Sequence, residues 1–135
     1  MHFDMPGNAS VDHEYAVLDD IYHSSSAHEM RVKADLHNIK IDDPNVIVFL
    51  IKSTTYHHAF WPHTAKRFTA FKDLLRNMKD FPKDPQFNDV QRVVESEIID
   101  IMTDKWKIST PGGKQEVKNL KQVMRILEKL EMECK

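Results

Sequence analysis

The chain has 135 residues, of which 41% are hydrophobic and 30% are charged, and this composition is that of one ordinary globular domain. Its formal net charge of −2 argues against a dedicated nucleic-acid-binding protein, because such proteins are usually basic overall. The longest apolar run, residues 46–51, is far shorter than the roughly 20 residues that cross a bilayer, which argues against a membrane-spanning segment.

The N-terminal region is predicted to contain one short helix. Residues 1–9 are expected to be poorly ordered, because Pro6 and Gly7 favour a turn and little else. The helix would cover residues 10–23, with Ser10 as its cap, and would open a single α+β domain over residues 10–135. Its apolar residues recur at helical spacing on one stripe: Val11, Tyr15, Leu18 and Tyr22.

A first strand is predicted over residues 30–36, where apolar and polar residues alternate with a period of two. A helix is the alternative, because Ser26 and Glu29 have the spacing of a capping box. The strand is preferred because a helix would bury Arg31 or Lys33 beside apolar residues.

Two more strands are predicted to complete a small sheet. The alternation of the first strand slips at residues 37–38, and a β-bulge there would explain the slip. Residues 46–51 are apolar at every position, which is typical of a central strand covered on both faces. One neighbour would be residues 30–41, and the other is sought in residues 56–67, where Pro62 restricts the strand to an edge.

The remaining chain is predicted to be helical. The apolar period becomes that of a helix from Phe68 onward, and residues 80–87 form a proline-containing loop. A second helix opens at Asn88, and a last helix covers residues 114–133. The core faces of the three helices are predicted to be Phe68, Phe71, Leu75 and Met78, then Val90, Val94, Ile98 and Ile101, then Val117, Leu120, Met124 and Leu127.

Charge is distributed unevenly along the chain. Residues 1–29 carry six acids and neither Lys nor Arg, whereas residues 57–83 carry six bases against two acids. A basic block of this kind attracts anionic partners, although a solvated helix face would have the same composition.

The order of strands, helices and proline-containing loop is similar to that of the PX (phox homology) domain, a module that docks on phosphoinositide headgroups. The resemblance covers residues 28–130 and centres on two basic residues, an aromatic, a hydroxyl residue and Phe-x-x-Leu. In this chain the motif reads Lys66-Arg67-Phe68-Thr69-Ala70-Phe71-Lys72-Asp73-Leu74. It implies an α+β fold in which a three-stranded antiparallel meander precedes a helical subdomain of three helices, with an extra N-terminal helix.

The resemblance also implies a ligand site. Arg67, beside Lys66, would bind the 3-phosphate of the headgroup, and Phe68 would pack under the inositol ring. Lys83 in the proline-containing loop would contact another phosphate, and Arg92 would bind ring hydroxyls. A planar guanidinium grips phosphate with two hydrogen bonds, while a lysine adds a point charge.

The implied function is a membrane-targeting module without catalysis, in the cytoplasm or peripherally on endosomal membranes. Phe81 and Phe87, expected to be exposed beside the loop, would insert shallowly into the membrane. The single cysteine, Cys134, and the lack of a leader sequence at the acidic N-terminus also predict a reducing intracellular location. The alternative is a small protein-binding domain of regulatory, adaptor or immunity type, which docks a partner through its charged faces.

No catalytic residue, cofactor or metal is predicted. His57, His58 and His63 lie close in sequence, but neighbouring histidines on a strand would point to opposite faces and could not share a metal ion. Nucleic acid is disfavoured as a partner by the overall charge, and a sheet edge would permit a homodimer.

Overall fold

The computed structural model describes residues 8–56 and 62–134, and in these residues the chain forms helices and no strand. A single 3-10 turn, Phe81–Lys83, joins two of the helices. The α-helices are α1 (Asn8–Tyr22), α2 (Ala27–Leu36), α3 (Pro44–Tyr56), α4 (Pro62–Arg76), α5 (Phe87–Thr103), α6 (Lys105–Ser109) and α7 (Pro111–Glu133). The predicted α+β class with a three-stranded meander is therefore wrong, and so is the sheet edge proposed for a homodimer.

The first predicted strand is α2, and a capping box begins it. The Ser26 hydroxyl accepts a hydrogen bond from the Glu29 backbone N–H at 3.1 Å, and the Glu29 carboxylate accepts one from the Ser25 backbone N–H at 3.0 Å. These bonds satisfy amide groups that a helix start leaves without intrahelical partners. The alternative that the sequence left open at Ser26 and Glu29 is thus the observed structure.

The slip in the alternation after this segment is the end of α2 and not a β-bulge. Asn38 adopts a positive φ of 56°, in the left-handed region that asparagine tolerates better than most residues. The Ile39 backbone N–H then donates to the Ala34 carbonyl at 2.8 Å, which closes the helix.

The predicted central strand is α3, a helix that is apolar on nearly every side. Pro44 occupies its first position, and the Asp43 side chain accepts a hydrogen bond from the Asn45 backbone N–H at 2.8 Å. Ile47 and Leu50 are fully buried, because α3 packs against α1, α5 and α7. A helix surrounded in this way is apolar all round, so its sequence resembles that of a buried strand.

The third predicted strand has no counterpart in the described residues. Tyr56 ends α3, Pro62 opens α4, and residues 57–61 between them lie outside the described residues. Proline at the first helical position loses no hydrogen bond, so the residue that restricted the strand to an edge in fact begins a helix.

The later helices bury the faces that their periodicity predicts. Ten of the twelve residues predicted for these core faces are buried in the core, and Ile98 and Met124 are partly buried and pack against it. The long helix α7 forms the spine of the fold, since α3, α4, α5 and α6 all pack against it. None of the described helices combines the length and apolarity needed to cross a membrane.

Candidate functional site

The five predicted ligand residues do not converge on one pocket. Phe68 is only 6% exposed and belongs to the core. Lys83 pairs with Asp80 at 3.3 Å, and Arg92 pairs with Asp89 at 3.1 Å on a different helix. Their role in binding a headgroup therefore stays a prediction. Of the five, Phe68 lines the groove described below, and Lys66 lines a separate cleft with Ser25.

The positive charge of Arg67 acts on a residue of α1. Burial raises the pKa of the Tyr22 hydroxyl well above its ordinary value, and the positive charge of Arg67 acts on that pKa in the opposite direction. The guanidinium that was predicted to grip a phosphate thus lies near a buried phenol.

Phe81 and Phe87, predicted as exposed membrane contacts, are buried. They are 5% and 2% exposed, and their rings pack edge to face with centroids 5.3 Å apart. They fix the 3-10 turn onto the start of α5, so the membrane contact predicted for them loses the exposure on which it depended.

Two neighbouring clefts between α4 and α7, together called the α4–α7 groove below, bring polar and basic side chains together. The two helices run in the same direction, because Lys72 Nζ donates to Gln122 Oε1 at 2.8 Å and Lys79 Nζ lies 3.4 Å from Glu133 Oε2 further along. Its lining residues recur every three or four positions on both helices, which is the spacing of a helix face.

The first half of the groove is a polar cleft of about 210 Å³. Gln115 Nε2 donates to Asn119 Oδ1 at 3.0 Å, and Asn119 is only 7% exposed. No carboxylate is among the described residues that line this half. They are Ala65, Phe68, Thr69 and Lys72 of α4 and Gln115, Asn119 and Gln122 of α7.

Lys72 is the central cation of this half. Its Nζ lies 4.8 Å above the centre of the Phe68 ring, in cation–π contact. Partial burial lowers the pKa of Lys72 below its ordinary value, and the nearby charge of Arg76 acts in the same direction. The nearby charge of Asp73 opposes both effects, and an acidic group bound beside the ammonium would act in the same direction as Asp73.

The second half of the groove is a predominantly apolar cleft of about 140 Å³. Ile126 and Leu130 form its floor, with Arg76, Lys79 and Lys129 at its edges. The edge bases are partly compensated: Arg76 pairs with Asp73 at 2.9 Å, and Glu133 lies 3.4 Å from Lys79 and 3.9 Å from Lys129.

A row of four exposed bases, called the α7 stripe below, forms the outer rim of the groove. Each base directly precedes a groove-lining residue, and the spacing of 4, 3 and 4 positions puts all four on one helix face. None of the four forms an ion pair with a carboxylate among the described residues. The α7 stripe consists of Lys114, Lys118, Lys121 and Arg125.

The only acid in the same part of α7, Glu116, points elsewhere. Its carboxylate lies 3.2 Å from Lys107 Nζ of α6, on the flank of α7 away from α4. The groove and its outer rim therefore face solvent with an excess of positive charge at the Gln115 end.

A separate apolar patch lies where α5 meets α6. Ile99, Met102 and Trp106 are 59%, 52% and 85% exposed. These residues do not line the α4–α7 groove, so they offer a natural control surface for experiments on it.

The sequence analysis noted the bases on the α4 side of the groove but missed those on the α7 side. The basic block over residues 57–83 includes Lys66 and Lys72, but the partner helix was assigned only a core face. The lysines of the α7 stripe recur at helical spacing in the sequence, and that signal would have revealed a second basic face.

No protein-family model, curated protein or solved structure matches the chain. In the described residues no group of three or more His, Cys, Asp or Glu side chains is placed to hold a metal ion, and His57 and His58 lie outside those residues. The α4–α7 groove is therefore the feature on which a functional argument can be built.

Proposed function

We propose that the protein is a non-catalytic docking module that binds an acidic segment of a partner protein in the α4–α7 groove. The observation that carries the proposal is a set of bases around the groove that make no ion pair with a carboxylate among the described residues. They are Lys72 on the α4 side, with Lys66 in an adjoining cleft that shares Ala65 and Thr69 with the groove, and Lys114, Lys118, Lys121 and Arg125 on the α7 side. Like charges gathered on one face attract an acidic surface and speed its approach.

The amide side chains of the groove favour a peptide over a bare phosphate group. Gln115, Asn119 and Gln122 each carry both donors and acceptors, and a peptide segment offers both kinds of partner. Phosphate oxygens only accept hydrogen bonds when fully ionised. The Asn119 and Gln122 oxygens already accept from Gln115 and Lys72, so the Gln115 oxygen is the amide oxygen that would face a phosphate without a donor.

The size of the clefts favours a docking surface over a small-molecule site. The two halves of the groove measure about 210 and 140 Å³, whereas small-molecule sites typically enclose about 300–1,000 Å³. No histidine, cysteine or carboxylate is among the described residues lining the polar half, so the groove presents no general acid or base there apart from Lys72.

The proposal is tested by fluorescence anisotropy with a labelled Glu-rich peptide, using the wild-type chain and the double variant Lys118→Glu/Arg125→Glu. We expect the reversal to weaken binding about tenfold or more, because two attractive contacts become repulsive. The matched control is Lys105→Glu, an exposed lysine on α6 outside the groove, which should leave the affinity within about twofold apart from long-range charge effects.

Phosphoinositide vesicles and a labelled RNA duplex form the other arms of the experiment. If the peptide fails to bind, or if Lys105→Glu weakens it as much as the double variant does, the proposal is wrong. Headgroup-selective vesicle binding that is lost in Lys66→Ala would instead support the phosphoinositide prediction.

A further inference from the structure

We infer that the segment bound by the α4–α7 groove is an α-helix. Its two flanks carry acidic residues, and its seam, the face that lies in the groove, is polar at one end and apolar at the other. This inference rests on the proposed function and names the form of the partner. It is carried by the periodicity of the groove, by its charged edges and by the change of character between its two halves.

The periodicity of the lining residues is that of a helix-packing seam. Seven residues of α7 line the groove: Gln115, Asn119, Gln122, Ile126, Lys129, Leu130 and Glu133. Leu130 directly follows Lys129, and the other six are separated by 4, 3, 4, 3 and 4 positions. These spacings average about 3.6 residues, the repeat of an α-helix, so the lining residues follow one face of α7 lengthwise. The row extends for about 27 Å, at 1.5 Å per residue.

The groove does not offer the features that the other common modes of peptide binding require. An added β-strand needs an exposed sheet edge, and the described residues contain no strand. A polyproline segment needs a groove lined by exposed aromatic rings, whereas Phe68, the one aromatic among the described residues that line this groove, is 6% exposed. A helix lying between two parallel helices is the mode that the surface fits.

The edges of the groove define the flanks of the partner. Lys118 and Arg125 are seven residues apart on the α7 side, so they recur on every second turn of the helix at the same edge. On the α4 side Lys72 lines the groove, and Lys66 lies in an adjoining cleft that shares Ala65 and Thr69 with it. Acidic residues on both flanks of a bound helix would pair with these edges, as flanking charges do in coiled coils.

The two halves of the groove define the register of the partner. The buried amide of Asn119, bonded to Gln115, lies in the seam of the polar half and favours Asn, Gln or Ser opposite it. The floor of Ile126 and Leu130 favours an apolar side chain in the other half. One buried polar residue in a seam is enough to fix register and partner choice in coiled coils.

The test compares two peptides of equal length and equal charge, each of about 21 residues. The first is a helix with Glu on both flanks, Asn and Gln in the first half of its seam and Leu in the second half. The second has the same residues, except that two central positions are proline in place of alanine, which breaks the helix. Binding is measured by anisotropy, and peptide helicity is followed by circular dichroism.

We expect the helical peptide to bind about tenfold or more tightly than the broken one. Equal binding of both peptides would overturn the helix inference and leave the docking function standing. If neither peptide binds while the protein is folded, the docking function itself is wrong.

The register is tested with Asn119→Leu on the full chain. This variant should weaken the peptide with Asn in its seam and strengthen a peptide with Leu throughout its seam, reversing their order of affinity. A thermal melt confirms that the variant is folded, and the matched variant Asn77→Leu, outside the groove lining, should keep the wild-type order. An unchanged order in folded Asn119→Leu would overturn the assigned register.

Discussion

At the scale of single residues, the roles of charged side chains depend on their immediate partners. Lys33 was expected to oppose a helix because the helix would bury it. Its ammonium instead reaches the Asp20 and His23 carbonyl oxygens at 3.0 and 2.7 Å, so its stem is covered while its charge is hydrogen-bonded. The length of a lysine stem makes such burial tolerable, and sequence spacing does not reveal it.

The capping box at the start of α2 predicts a dependence on pH. The Ser25 backbone N–H and the Ser25 hydroxyl donate to the Glu29 carboxylate and lower its pKa below the ordinary value of 4.5. A carboxyl whose pKa is lower in the folded state contributes stability that is present above the unfolded value and is lost as the pH falls through the folded value. We expect α2 to loosen at its N-terminus in that acidic range.

Hydrogen-exchange protection of the Glu29 amide near neutral pH and at about pH 3 measures this effect. Protection should fall on acidification in the wild type, after correction for the intrinsic exchange rate. Glu29→Gln should begin lower and change little. An equal fall in both proteins would contradict the assigned role of the carboxylate.

At the scale of elements, the alternating apolar residues over 30–36 are compatible with both a strand and a helix. In α2 the buried residues are Met30 and Ala34, four positions apart, whereas Val32 and Leu36 are 41% and 75% exposed. Four alternating apolar residues therefore divide between two faces of a helix. Period two was the simpler interpretation, and only the capping residues carried the correct signal.

The α7 stripe predicts that one neutralising substitution increases stability while it reduces partner binding. Lys118 lies four residues after Lys114 and three before Lys121, and like charges at these spacings destabilise a helix by roughly 0.2–0.5 kcal/mol per pair. We expect Lys118→Gln to raise the free energy of unfolding by about that amount, measured by urea denaturation at low salt.

The increase in the free energy of unfolding of Lys118→Gln should shrink at high salt, because the repulsion between exposed charges is screened. The control is Lys105→Gln, which removes a lysine from α6 outside the stripe. A destabilised Lys118→Gln would indicate that Lys118 makes a favourable contact within the fold. That result would contradict its assignment to partner binding.

At the scale of the whole molecule, burial separates structural aromatics from surface aromatics. Phe87 is 2% exposed and packs against Phe81, whereas Trp106 is 85% exposed. The sequence alone ranked the two phenylalanines as surface residues, because they flank prolines and charges in a loop. Their burial follows from the packing of the 3-10 turn against α5 and α7.

Truncation of these aromatics is expected to have unequal effects on stability. Phe87→Ala should lower the free energy of unfolding by about 3–5 kcal/mol, since it removes a buried ring and leaves a cavity. Trp106→Ala, the matched control, should change it by less than about 0.5 kcal/mol. Chemical denaturation measures both, and a stable Phe87→Ala would contradict the burial of this ring.

The sequence alone predicted α1, α5, α7 and the part of α4 from Phe68 onward, because each has an apolar face at helical spacing. The start of α4 at Pro62, including Lys66, was wrongly predicted as an edge strand. The helical structure of α3 could be assigned only from the tertiary structure. Residues 46–51 are apolar throughout, and the surrounding helices α1, α5 and α7 are what make them a buried helix.

The candidate site was decided in the same way. Lys72 and Gln122 are far apart in the sequence, and they meet because α4 and α7 run side by side over a common core. Periodicity reports which residues of one helix face inward, but it carries no information about which helix lies beside it. Which helices become neighbours depends on how all the apolar faces are buried at once, and only the folded molecule shows this arrangement.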